Sequence, residues 1–171
     1  RNGAERIDAV EIDPAILEIG RRLNLSRPYS DPRVRTHVVD ARHFVRTTTD
    51  RYDMVVLGTL DSQTLLSGHS NIRLENYVYT VESFQEFRRI LTSEGLLAAY
   101  YSVFKPWLLP RIAATVAAGF GEPYRLLRTE DIFLFNTLVL AGPGVDQLEG
   151  GRLPEAEMRD AITARDDWPF L

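Results

Sequence analysis

The 171-residue sequence contains no cysteine. Disulfides and thiolate metal sites are therefore excluded. Histidine is scarce too: the three present, His37, His43 and His69, lack metal-ligand spacing, so no metal centre is expected. His37 falls in a predicted strand and His43 on a short helix, where structural or exposed roles are expected. His69 lies in a long loop and could face a substrate. No run of about 18 apolar residues occurs, so nothing in the sequence is expected to span a membrane. No signal peptide is visible. An excess of basic charge is also lacking, with a net charge of -4 and a pI near 5.4. That argues against nucleic acid as a partner, since phosphate binding wants a basic surface. The scattered Arg21, Arg22, Arg27, Arg33 and Arg35 read as a solvated face. What is there is ordinary globular composition, 44% hydrophobic and 26% charged. The length suits a single domain over 1–171 with a real core. Arg1-Asn2-Gly3-Ala4 has no initiator Met and leads almost directly into a strand, so the sequence reads as a piece of a longer protein.

One stretch organises the rest: Ile7-Asp8-Ala9-Val10-Glu11-Ile12-Asp13-Pro14. It reads as a strand that stops on acids and turns at once into a helix. Asp13 suits the N-cap, and Pro14 suits the first helical position, where a missing N–H costs nothing. Ile16, Leu17 and Leu23 set an apolar helix face. In open α/β sheets, ligands bind outside the carboxyl ends of strands. A carboxylate there can accept two charge-assisted hydrogen bonds from a ribose diol. Glu11 is thus a candidate ribose ligand. The alternative is a solvated acid beside a capped helix.

A polar loop over 26–32 leads to a second strand, Val34 to Val39, with Asp40 at its end. A short helix follows from Ala41 to Arg46. Tyr52 to Leu57 is nearly all apolar at its centre, as suits a strand buried on both faces of a parallel sheet. Gly58 to Tyr79 has little periodicity, and a loop of this length is usually functional or mobile. Thr80 can cap a helix carrying Phe84, Phe87 and Leu91. Ser93-Glu94-Gly95 turns the chain into a strand over Leu96 to Ser102. Pro106 opens a helix with Leu109, Ile112 and Val116 on one face, ended by Gly119-Phe120-Gly121. Tyr124 to Arg128 and Ile132 to Ala141 read as two last strands, antiparallel across a tight turn. Pro154 to Arg165 is expected to form a final amphipathic helix, within a helix-and-tail segment over 146–171. The candidate core is Val10, Ile12, Val55, Val56, Phe87, Leu97, Ile112, Val139 and Leu140. The alternation demands an α/β, doubly wound, mostly parallel sheet with helices on both faces. Its terminal antiparallel pair points to the Rossmann-like fold of class I methyltransferases.

With those residues in place, residues 7–102 resemble the spermidine synthase (polyamine aminopropyltransferase) family. Val10-Glu11-Ile12-Asp13-Pro14 is similar to its ribose-binding segment. Asp31-Pro32-Arg33-Val34, followed by Val39-Asp40-Ala41-Arg42-His43-Phe44, resembles the segment whose acid holds the adenine amino group and whose next residue holds the ring. Arg51-Tyr52-Asp53-Met54-Val55-Val56 resembles a third segment, and Thr80 to Gly95 a helix and turn. The resemblance implies an S-adenosylmethionine or decarboxylated S-adenosylmethionine ligand, held by Glu11, Ile12, Asp13, Asp40, Ala41 and Gly58. The implied acceptor is a small amine. Homodimerisation is left open. Asp166-Asp167-Trp168-Pro169-Phe170-Leu171 looks like the closing segment of bacterial members fused to membrane helices. It implies a cytoplasmic domain that membrane helices could tether in the full-length protein.

Two departures from the family stand out. Its first strand and glycine-rich loop would lie upstream of Arg1. Its acidic pair after the third strand aligns with Gly58 and Asp61, so only the second acid, Asp61, is retained as a catalytic candidate. Glu75 and His69 are the other groups of the loop that could act as a base, and Tyr77 and Tyr79 could wall an amine site by cation–π contact. Three readings follow: an aminopropyltransferase, a methyltransferase, or a non-catalytic nucleoside-binding or structural module of a membrane protein.

Overall fold

The computed structural model describes residues 3–58, 74–121, 123–128 and 136–169. They fall into two compact units, Arg1–Thr48 and Thr49–Leu171.

In the first unit, β1 (Ile7–Glu11) and β2 (Val34–Val38) pair in parallel, from Ile7 opposite Val34 to Glu11 opposite Val38. Helix α1 (Pro14–Leu23) joins them, and α2 (Ala41–Thr47) follows β2. Both helices begin on an acid: Asp13 accepts from the N–H of Ala15 at 2.7 Å, and Asp40 from that of His43 at 2.8 Å. Such caps satisfy N–H groups that the helix itself leaves without partners. Before β2, the Asp31 carboxylate takes the side chain and N–H of Arg33. These bonds hold its carboxyl well below the usual carboxylate range and push the Arg33 guanidinium up. On α1 only Leu17 is buried; Ile16 and Leu23 of the expected face are exposed. Two strands offer too little surface to cover that helix.

In the second unit, β3 (Tyr52–Leu57), β4 (Leu91–Tyr101), β5 (Tyr124–Arg128) and β6 (Thr137–Ala141) form one sheet in the order β3-β4-β6-β5. β3 and β4 are parallel, while β6 runs antiparallel to both β4 and β5. This is the expected α/β arrangement, with parallel pairing and a terminal antiparallel pair. The Ser93-Glu94-Gly95 turn survives as an irregularity within β4, where the partner of Tyr52 is Leu91 and that of Met54 is Leu96. Residues 132–135, read as the start of the last strand, lie outside the described residues. The free edge of β5 is partly covered by Gly151, which exchanges two backbone hydrogen bonds with Leu126.

Helices α3 (Val81–Ile90) and α4 (Leu108–Phe120) pack on each other. The rings of Phe87 and Phe120 lie 6.4 and 6.1 Å from that of Phe84. Their close approach depends on Gly119, where a Cβ would come within 2.4 Å of the Phe84 Cβ and 2.9 Å of the Val81 carbonyl. Phe87, Leu97, Ile112, Val139 and Leu140 are buried as expected. Val10 and Val55 are half-buried. Ile12 and Val56 are corrections, exposed to 54% and 55%. Among the described residues β1 and β3 each have one neighbouring strand, so their outer flanks lack the cover that a central strand enjoys.

The expected helix over Pro154 to Arg165 is also corrected. Only α5 (Glu155–Met158) is helical. Tyr124 anchors this region: its hydroxyl contacts the Met158 sulfur and accepts the N–H of Leu153. Burial pushes that phenol's pKa up. Beyond α5 the backbone is taken up by tertiary bonds. The Ala164 carbonyl accepts from Val81 N–H at 2.9 Å, and Ala164 N–H donates to Thr115 Oγ1 at 3.1 Å. Thr80 Oγ1 donates to Asp166 at 2.7 Å, and Asp166 N–H to Glu82 at 3.1 Å. The guanidinium carbon of Arg111 sits 4.4 Å from the Trp168 ring centre. A continued helix would have to break these bonds. No helix among the described residues is long and apolar enough to cross a membrane.

The α3–α4 contact gives a direct test. Gly119→Ala should push the helices apart and destabilise the protein by about 1–3 kcal/mol, the usual range for overpacking. Urea unfolding followed by circular dichroism would read this as a lower midpoint.

Candidate functional site

β1 and β2 are parallel, so their carboxyl ends lie side by side. Glu11 closes β1 and pairs with Val38; Asp40 comes two residues after Val38. The ladder runs one step further, with Val39 N–H donating to the Glu11 carbonyl at 3.1 Å. The register therefore brings Glu11, Ile12, Asp13, Asp40 and Ala41 to one edge of the first unit. Glu11 Oε1 accepts from Asp13 N–H at 2.9 Å. Glu11, Asp13 and Asp40 are thus each oriented through one carboxylate oxygen by an N–H of their own segment. For the second oxygen of each, the described residues offer no hydrogen-bond partner. Such an oxygen, held at a strand end, can accept from a hydroxyl or an amino group. An open groove of about 460 Å³ lies at α2, lined by Asp40, Arg42, His43, Arg46 and Thr47.

The sequence did not single out Asp8. Its side chain is only 4% exposed, and its carboxylate meets Arg6 Nε at 3.1 Å and His37 Nε2 at 2.8 Å. The His37 ring in turn lies 4.8 Å from that of Phe44 in α2. The signal was faint: an acid on the same strand face as Val10, and a histidine diagonal to it on the next strand.

In the second unit, Gly58 directly follows β3. It is exposed, and among the described residues a Cβ there would meet nothing within 4 Å. Among the described residues, nothing around this position requires a glycine. Asp61 and His69 lie outside the described residues, as does the side chain of Glu75. Tyr77 is half-buried; Tyr79 is buried, its ring 5.5 Å from that of Tyr101 at the end of β4. Just past β4, Asn136 clamps Val103 through two bonds of 2.9 Å, its side-chain amide acting as a further rung beside β6. Among the described residues no group of three or more acids and histidines could hold a metal ion.

Residues 2–118 match the family model described as the spermine/spermidine synthase domain. The chain belongs to this family. Curated relatives include the polyamine aminopropyltransferase of Prochlorococcus marinus (strain MIT 9312), 29% identical over 97 residues, which are 54% of this chain and 31% of that protein. The polyamine aminopropyltransferase of Vibrio vulnificus (strain CMCP6) is 29% identical over 122 residues, 69% of this chain and 36% of that protein. The chain thus spans about a third of the length of these relatives. Among solved structures, spermidine synthase from Thermotoga maritima superposes with a TM-score of 0.66 at 14% identity, over 99% of this chain and 57% of that one. Human methyltransferase-like protein 13, solved in complex with SAH, gives 0.60 at 21% identity, over 91% of this chain and 67% of that one. The fold of this spermidine-synthase domain is accordingly of the methyltransferase type.

The cap and any ligand role of Asp40 can be separated. Asp40→Ala should destabilise the protein by about 1 kcal/mol through loss of the α2 cap, whereas Asp40→Asn should stay within a few tenths. Thermal or urea unfolding of both variants measures this.

Proposed function

We propose that this spermidine-synthase domain binds an S-adenosylmethionine-type ligand, and that any aminopropyl transfer it performs on a small amine is slow. The observation that carries the reading is the pair of acids at the carboxyl ends of adjacent parallel strands, Glu11 and Asp40. Each is already oriented by its own backbone, so little ordering remains to be done when a ligand arrives. Glu11 would accept from the ribose hydroxyls, with Ile12 and Asp13 flanking it. Asp40 would accept from the adenine amino group, and Ala41 would face the ring. Gly58 would leave room at the end of β3, and Asp61 would bind the cationic amine. We read residues 1–171 as belonging to one domain, with no nucleic acid as partner. The domain works in the cytoplasm, and membrane helices that tether it would lie outside these residues.

The transfer requires the amine nitrogen to lose a proton before it attacks the carbon beside the sulfonium. A positioned carboxylate contributes about 10²–10⁴ to such a step. Gly58 has no group to accept that proton. One observation therefore favours methyl transfer as a second reading: the end of β3 carries an open glycine, and methyl transfer needs little beyond proximity and alignment.

Calorimetry with S-adenosylmethionine and with its decarboxylated form tests the ligand. Glu11→Gln should weaken binding by about 1.5–3 kcal/mol, the range for a charge-assisted hydrogen bond. Unchanged affinity would remove Glu11 from the site. The missing base yields a second expectation. The full-length protein, given decarboxylated S-adenosylmethionine and putrescine, should release methylthioadenosine slowly or not at all. Turnover near ~1 s⁻¹, within the normal enzyme range, would show that another group serves as base.

A further inference from the structure

Asp8 and His37 have no part in the site as read so far, yet they make a close contact on a carboxylate that is almost wholly buried. A carboxylate that is 4% exposed is expensive to keep unless it is paired. Partners of Asp8 include Arg6 Nε at 3.1 Å and His37 Nε2 at 2.8 Å. The register explains why His37 can reach it. His37 pairs with Val10, and Asp8 stands two residues before Val10 on the same face of β1. Diagonal neighbours of this kind are within reach of long side chains.

The other side of the imidazole meets α2. Its ring centre is 4.8 Å from that of Phe44, with the planes at 51°. Phe44 belongs to the first turn of α2, and its N–H donates to the Asp40 carbonyl at 2.9 Å. The turn that carries Phe44 is therefore the turn that Asp40 caps and Ala41 opens. A chain of contacts runs from the interior of β1, through Asp8 and His37, to Phe44 and the start of α2.

We propose that His37 is a positioning residue for the base-binding end of the nucleoside site. Anchored through Nε2 on Asp8, its ring holds Phe44, and with it the first turn of α2, so that Asp40 and Ala41 stay beside Glu11. This rests on the reading of Asp40 and Ala41 given above. A leucine could fill the space against Phe44 but could not hold Asp8. An imidazole does both.

The test compares His37→Leu, His37→Gln and the parent protein by amide hydrogen exchange and by calorimetry with S-adenosylmethionine. Glutamine can still offer an N–H to Asp8. In the leucine variant, exchange at His43, Phe44 and Val45 should speed up about tenfold or more, while amides of α1 stay protected, since local openings are separable from global ones. Affinity should fall in the same variant, and glutamine should restore most of both. Unchanged exchange at α2 would overturn the proposal. So would equal acceleration across α1 and α2, which would mark His37 as part of the general packing only. Local acceleration with unchanged affinity would also overturn it, because the turn would then not matter to the ligand. If the parent protein binds no adenosyl ligand, the functional reading falls, and the exchange result alone decides whether His37 anchors α2.

Discussion

Helices that begin directly at the end of a strand leave their first N–H groups facing the same edge where ligands collect. In this chain acids meet that need. Glu11, Asp13 and Asp40 each give one oxygen to an N–H two or three residues on. Without those bonds the β1–α1 and β2–α2 turns would have no fixed geometry, and the edge of the first unit would carry loose carboxylates. With them, the acids are held at the strand ends with capacity to spare. The same bonds that start the helices thus fix where these carboxylates stand.

Charge reinforces this at a distance from the edge. Asp31 folds Arg33 back onto itself just before β2 begins, and Asp8 gathers Arg6 and His37 across the two strands. An isolated pair of short parallel strands is a weak structure, since parallel pairing is slightly less stable per residue and needs covered faces. Among the described residues, polar contacts between and beside β1 and β2 supply order where apolar cover is thin. The second unit solves the matter differently, with the Phe84, Phe87 and Phe120 rings and a glycine that lets two helices meet.

Local chemistry was the legible part of the sequence. Asp13-Pro14, the Thr80 cap and the Gly121 stop announced helix ends, and each lies where the residue types demand. The strands at Ile7, Val34, Tyr52 and Tyr124 were visible from their apolar runs and their flanking breakers. Cover was not legible. Val56 and Ile12 look like core residues because a run of apolar side chains does not say how many neighbours its strand has. The tail misled for the opposite reason. Its spacing suits a helix, but Val81 and Thr115 claim the backbone groups of Ala164, and tertiary bonds override a modest local preference. Of the candidate site residues, the position of Glu11 at a strand end was legible from the residues, while Asp40 was singled out by the family resemblance. The pairing of Asp8 with His37 needed the register between two strands, which no single stretch encodes.

The strap of residues 164–166 over the start of α3 has a consequence for how the chain comes into being. Thr80 and Glu82 find their partners 86 and 84 residues later. During synthesis, at about 5–20 residues per second, α3 would leave the ribosome several seconds before the segment that completes its amino end. Until then the Val81 amide must be served by water, and Thr80 Oγ1 can donate to the Tyr77 carbonyl, 3.3 Å away. The second unit can collapse early around its phenylalanines, but its α3 end can be locked only when residues 164–166 arrive.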